Sequence, residues 1–68
     1  MNADHMVHKA NQIAQFFASY PREEAVDGVT DHLQKFWEPR MRAQLREYAI
    51  RGGGGLHDLV VEAEKRLK

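Results

Sequence analysis

The chain has 68 residues and no cysteine, and its ten lysine and arginine residues balance its ten aspartate and glutamate residues. A core of this size seldom supplies more than about 3–5 kcal/mol of net stability, and without cysteine neither disulfides nor a thiolate zinc site can add to it. The balanced charge provides no general attraction to nucleic acid or anionic lipid. No apolar run approaches the roughly 20 residues of a membrane span, and no secretion signal is evident.

Helical periodicity extends along the whole chain, and no segment shows the sustained alternation that is typical of a strand. Asn2 is placed to cap a first helix, which runs to about Ser19. Pro21 starts a second helix. Pro39 ends that second helix and opens a third, which reaches about Ile50.

Four consecutive glycines, at positions 52–55, then interrupt the pattern, because glycine does not propagate a helix and readily adopts a left-handed conformation. A last short helix follows them. We therefore predict an all-α fold, a small compact helical domain of three to four short helices joined by proline turns and a glycine-rich loop. Residues 1–68 form this single domain, with a three-helix body over 1–51, a glycine hinge over 52–55 and a terminal helix over 56–68.

The sequence contains no recognisable catalytic or metal-binding set. His5 and His8 lie three residues apart on the first helix, but zinc generally needs three or four protein ligands, so both are predicted to be solvated. His32 follows Asp31, and adjacent helical residues point about 100° apart, which disfavours a His–Asp pair. The glycine run follows a helix and leads to Asp58, unlike a phosphate-binding loop. We predict no catalytic residue, no bound cofactor and no metal ligand.

The segment 31–42 indicates a binding surface. It combines two adjacent aromatic side chains, a proline that restarts a helix and closely spaced arginines, which is the usual composition of a protein–protein contact centre. Phe16 joins this set because it lies off the main apolar face of its own helix. The predicted partner interface consists of Phe16, Phe36, Trp37, Pro39, Arg40, Met41, Arg42 and Arg46.

Two alternatives remain open on the residues alone. Trp37 and Phe16 are also compatible with packing inside the protein, Trp37 at the edge of an apolar arc and Phe16 under the loop or the last helix. The helix Arg40–Arg51 is compatible with a small helical nucleic-acid-binding regulator, although a typical nucleic-acid binder has a basic domain. We favour a protein-binding surface over the nucleic-acid regulator, whereas the choice between core and interface stays open for Trp37 and Phe16.

Three segments resemble the delta subunit of NAD-dependent formate dehydrogenases. They are residues 1–5, residues 10–17 with the pattern Ala-Asn-Gln-Ile-x-Gln-Phe-Phe, and residues 31–42 with the pattern Asp-His-Leu-x-x-Phe-Trp-x-Pro-Arg-Met-Arg. The resemblance covers nearly the whole chain and includes the glycine run. One departure is His57-Asp58, where a Ser-Pro or similar helix start is expected.

This resemblance implies a noncatalytic accessory subunit or assembly factor of a cytoplasmic bacterial complex that oxidises formate to CO2 and reduces NAD+. In such complexes the larger subunits hold the molybdenum or tungsten pterin, the iron–sulfur clusters, FMN and the NAD site. The absence of cysteine here agrees with a chain that binds no iron–sulfur cluster. The expected partners are those larger subunits, with the catalytic subunit as the expected contact, and neither nucleic acid nor a membrane.

Overall fold

The helical periodicity corresponds to four α-helices in the computed structural model, which describes residues 2–68. The helices are α1 (Ala3–Phe17), α2 (Arg22–Phe36), α3 (Pro39–Ile50) and α4 (Asp58–Lys65). No strand occurs within these residues, and the predicted all-α fold is confirmed. The third helix has the predicted limits, whereas α1 ends at Phe17 before the predicted Ser19, and α4 starts only at Asp58.

Local capping explains where the first and last helices begin. The Asn2 side chain accepts a hydrogen bond from the backbone N–H of His5 at 2.8 Å, which is the cap that the sequence predicts. At the start of α4, the Nδ1 atom of His57 accepts from the backbone N–H of Leu59 at 3.0 Å. Asp58 adds a carboxylate to the first turn of α4, where the helix dipole favours negative charge. His57-Asp58 therefore starts α4 in place of the expected Ser-Pro, with a ring nitrogen as the cap.

The core lies around α2, which packs against α1 and α4, while α3 contacts α1 and α4. The buried apolar residues come from all four helices and from the turn after α2: Met6, Ala10, Ala14, Ala25, Val26, Val29, Leu33, Trp37, Leu45, Leu59, Val60 and Ala63. The radius of gyration is 10.6 Å, close to the roughly 11 Å expected of a compact domain of this length. Because α4 supplies three of these residues, it is docked on the other helices.

The glycine loop is held against α1 by one side chain. Gly52, Gly53 and Gly55 have positive φ angles, which residues with a β-carbon rarely adopt. The Asn11 amide donates a hydrogen bond to the Gly55 carbonyl at 2.8 Å, and its oxygen accepts from the His57 N–H at 2.8 Å. Asn11 therefore satisfies both polar backbone groups at the point where the loop turns into α4.

Ion pairs join α2 to α4 along the solvent-facing side of their contact. Arg66 pairs with Asp27 at 2.8 Å and with Glu23 at 3.2 Å, and Arg22 pairs with Asp58 at 2.6 Å. The hydrogen bond with Glu23 is the main cause that raises the pKa of Arg66. Such exposed pairs contribute little stability individually, so we expect apolar burial to hold α4 in place.

Gly28 lets α1 and α2 approach closely. A β-carbon at this position would lie 2.5 Å from two atoms of the Phe17 ring, well inside van der Waals contact. Phe17 in turn covers the α2 backbone from the end of α1. The absence of a side chain at position 28 therefore allows the Phe17 ring to pack directly against α2.

We predict that Gly28→Ala lowers the melting temperature. Overpacking costs about 1–3 kcal/mol, which exceeds the roughly 1 kcal/mol that alanine gains in helix propensity. A net loss of about 1 kcal/mol corresponds to a fall of roughly 4–8 °C. Thermal unfolding followed by circular dichroism measures this shift.

Gly54→Ala is the matched control, because the same added methyl group would lie 3.8 Å from its nearest neighbour, the Tyr48 hydroxyl oxygen. Its φ is not in the left-handed region, so we expect no loss of stability. Equal melting temperatures for the two variants would contradict the close packing of Phe17 on Gly28.

Candidate partner-binding site

An apolar groove of about 480 Å³ lies between α1 and α2. Phe16 and Phe36 stand on opposite helices and are 70% and 71% exposed, whereas Trp37, which also lines the groove, is 5% exposed. The complete lining consists of Lys9, Gln12, Ile13, Phe16, Phe17, His32, Phe36 and Trp37. The structure therefore brings Phe16 together with Phe36 and Trp37, two predicted interface residues that lie about twenty positions later in the sequence.

The exposure of Phe16 follows from the packing of its neighbour. Ala10 and Ala14 place the buried face of α1 against the core, and Phe17 covers Gly28. The next side chain back, Phe16, is rotated by about 100° and leaves the core. It meets Phe17 edge-to-face, with ring centroids 5.0 Å apart and an angle of 87° between the planes. This is a favourable aromatic geometry that limits the freedom of the exposed ring.

Phe36 forms the opposite wall from the last position of α2. Its ring packs against the His32 imidazole, one helical turn earlier, at a centroid distance of 4.8 Å and a tilt of 42°. Residues four apart on a helix are neighbours on its surface, and here the contact orders a ring that the core does not cover. Both walls of the groove are therefore aromatic side chains supported by a second ring.

Trp37 links the groove to the core. It is the C-cap of α2, with extended backbone angles, and its N–H donates to the Leu33 carbonyl at 3.1 Å. This turn out of the helix places the indole among the buried residues. Trp37 therefore lines the groove, although almost all of the surface of its side chain is covered by the rest of the protein. The core placement that the sequence left open describes its environment best.

The remaining predicted residues lie apart from this groove, on α3. Pro39, Arg42 and Arg46 border a smaller depression of about 210 Å³ near the C-terminus. Arg40 is exposed, and Met41 is half-buried and packs against the core. The predicted interface thus divides into two surfaces.

Arg42 has a structural contact that the sequence did not indicate. Its guanidinium donates hydrogen bonds to the carbonyl oxygens of Trp37 and Gln34, the latter at 3.2 Å. Both carbonyls belong to the C-terminal end of α2, where helices leave acceptors without intrahelical partners. Arg42 therefore caps α2 from α3 and fixes the turn that carries Trp37.

We predict that Arg42→Met destabilises the protein by about 1–3 kcal/mol, because it leaves the two part-buried carbonyls without their charged donor. Arg46→Met on the same helix is the control, since Arg46 is exposed and the change in charge is identical. Denaturant unfolding of the two variants gives the comparison. Loss of stability in both, or in neither, would argue against the capping role.

Five lining residues were not predicted from the sequence: Lys9, Gln12, Ile13, Phe17 and His32. A signal for them existed in helical spacing. Gln12 and Phe16 are four apart on α1, and His32 and Phe36 are four apart on α2, so each pair shares one helix face. What the sequence did not provide was the pairing of those two faces across the helix contact.

The groove has apolar walls, and the described residues around it form no metal site. Within residues 2–68, no three His, Cys, Asp or Glu side chains converge as a metal site would require. The same part of the chain contains no helix with the length and apolar character to span a membrane. The groove instead combines aromatic walls with a few polar groups at its edge, as interfaces do.

Comparison with known proteins identifies the family. The FdsD family model, described as the NADH-dependent formate dehydrogenase delta subunit, matches residues 5–63. The chain belongs to this family. The match includes α2 and α3 completely and most of α1 and α4, and therefore the whole groove. No curated protein and no solved structure matches the chain.

Membership in the FdsD family confirms the resemblance noted in the sequence. It supports a formate dehydrogenase complex as the context of this delta subunit and lends no support to the nucleic-acid alternative. In addition, one arginine of α3 is partly engaged within the protein, because Arg42 donates hydrogen bonds to carbonyls at the end of α2. The α3 helix therefore has fewer free donors for a phosphate backbone than the sequence indicated.

Proposed function

We propose that this delta subunit is a noncatalytic accessory subunit or assembly factor, which acts by binding a larger subunit of a cytoplasmic NAD-dependent formate dehydrogenase. The catalytic subunit is the partner that we propose. The single observation that carries the protein-binding role is the exposure of two phenylalanine rings, Phe16 and Phe36, on one groove. Membership in the FdsD family is the reason for proposing a formate dehydrogenase complex as its context.

Exposed aromatic side chains at the edge of a groove are typical anchors of protein–protein contacts. The core of this chain is small, and two phenylalanine side chains lie outside it. The folded protein therefore lacks the stabilisation that burial of these two rings would provide. A larger subunit that covers both rings recovers this apolar burial on association. The groove residues are therefore suited to bind a partner, and no chemical step is assigned to them.

The complex that we propose performs formate oxidation with cofactors held elsewhere. The molybdenum or tungsten pterin, iron–sulfur clusters, FMN and NAD belong to the larger subunits in this proposal. This chain has no cysteine thiolates to ligate an iron–sulfur cluster. Its contribution is to help produce or maintain the active enzyme through contact.

Co-expression with the larger formate dehydrogenase subunits of the same organism tests this proposal. A tagged chain is expected to retain the catalytic subunit on an affinity column. Cells that lack the chain are expected to give enzyme with lower formate-dependent NAD+ reduction and lower molybdenum or tungsten content. Normal activity and metal content without the chain, together with no retained subunit, would overturn the proposed role.

A further inference from the structure

The polar groups at the groove edge carry donors and no carboxylate. Lys9 contributes an ammonium group, Gln12 an amide and His32 an imidazole, while none of the eight lining residues is aspartate or glutamate. The chain as a whole has equal numbers of acidic and basic residues. The chain as a whole therefore favours neither sign of charge, whereas the groove favours a negatively charged partner.

Lys9 has no ion-pair partner within residues 2–68. Among the described residues no carboxylate forms an ion pair with it, whereas Lys35 pairs with Asp31 at 3.2 Å and Lys65 pairs with Glu62 at 3.4 Å. Lys9 lies on α1 beside the aromatic walls and is exposed. An incoming carboxylate would thus meet an ammonium group that no carboxylate in the described part of the chain already neutralises.

The groove is also shaped for a helix. It lies between two packed helices, and side-chain ridges of such a pair accept a third helix in the groove between them. Residues 2–68 present no strand edge, so an extended peptide would find no backbone partners of the kind that β-augmentation requires. A helix satisfies its own backbone and needs only side-chain contacts.

We infer that the groove between Phe16 and Phe36 binds an acidic amphipathic helix of the larger subunit, which inserts a bulky apolar side chain between the rings and places a carboxylate on Lys9. This inference rests on the proposed function and names the chemistry of the contacting segment. A second copy of this chain is the alternative occupant. Three of its carboxylates, those of Glu23, Asp27 and Asp58, are already paired with Arg66 and Arg22, which leaves fewer for Lys9.

Site-specific photocrosslinking in the co-purified complex identifies the occupant. Benzoylphenylalanine replaces Phe16 in one sample and Phe36 in another, and mass spectrometry locates the attached peptide. The expected product is a helical segment of the larger subunit with an apolar residue at the crosslink and a carboxylate within one helical turn. Attachment to a second copy of this chain, or to a segment without a carboxylate, would overturn the inference.

Charge reversal tests the Lys9 contact independently. Lys9→Glu is expected to raise the dissociation constant for the larger subunit about tenfold, because an attraction at the edge of the interface becomes a repulsion. Replacing the partner carboxylate at the crosslinked segment by lysine is expected to restore binding to Lys9→Glu. Lys65→Glu, which makes the same change in charge on α4, is the control. Equal binding by the Lys9 and Lys65 variants would overturn the inference.

The two proposals fail in distinguishable ways. If the unmodified chain retains no larger subunit, the proposed function is wrong, and the inference that an acidic helix of that subunit binds the groove is wrong as well. If the complex forms but Phe16 and Phe36 crosslink elsewhere, or Lys9→Glu binds normally, only the inference about the acidic helix is wrong. Melting temperatures equal to wild type in the variants exclude unfolding as the cause of weaker binding.

Discussion

Replacement of both Phe16 and Phe36 by serine is expected to abolish binding to the larger formate dehydrogenase subunit while leaving the fold intact. Truncation of a contact anchor typically costs about 2 kcal/mol or more, which is roughly a 30-fold loss of affinity for each ring. The rings are mostly exposed, at 70% and 71%, so the free energy of unfolding is expected to change little. Titration of the purified subunit with each variant, beside thermal unfolding, measures both quantities.

Ile50→Ser is the matched control for that experiment. Ile50 is a large apolar residue that is 74% exposed at the end of α3, and it does not line the groove. Its replacement removes a similar exposed apolar surface and should leave affinity near the wild-type value. If Ile50→Ser weakens binding as much as the double phenylalanine variant, general surface hydrophobicity and not the groove determines the interaction.

Trp37→Ala is expected to leave the protein largely unfolded at room temperature. Removal of a buried tryptophan side chain costs about 3–5 kcal/mol, which is comparable to the whole net stability expected of a domain this small. Circular dichroism at 222 nm should show loss of helix, with a transition displaced to much lower denaturant concentration. Trp37→Phe keeps an aromatic ring at the site and is expected to remain folded with reduced stability.

The same residue offers a direct check, because Trp37 is the only tryptophan in the chain. A buried indole, 5% exposed, is expected to emit at short wavelength in the folded protein and to shift to long wavelength on unfolding. Emission characteristic of a solvated indole in the native protein, or a native-like circular dichroism spectrum of Trp37→Ala, would contradict the core placement.

Much of the fold was predictable because its local signals are strong. Asn2 and Pro39 mark helix starts through side-chain chemistry, and α3 has the predicted limits. The start of α4 was less accessible, since His57 caps through its ring nitrogen and histidine is not among the preferred N-cap residues. The docking of α4 depends on a contact between Asn11 and residues 44 and 46 positions away, which no local pattern contains.

The candidate site was predictable only as two separate halves. Helical spacing marked Phe16 as lying off its main apolar face and marked Phe36 and Trp37 as neighbours. Their convergence depends on the close approach of α1 and α2 at Gly28, which is a tertiary property. The structural contact of Arg42 was hidden for a related reason: an arginine beside an apolar arc suggests a contact surface, and only the tertiary structure shows that its Nη1 atom donates to carbonyls of the preceding helix.

The position of Phe16 and Phe36 outside the core has a consequence for sequence variation in this family. Under the proposed function, we expect substitutions at these two positions to be constrained by the partner and barely by folding, so that the two side chains can change together with the surface that they meet. A randomised library at both positions should yield mostly folded proteins, and selection for retention by a different formate dehydrogenase could then retune recognition without redesigning the scaffold.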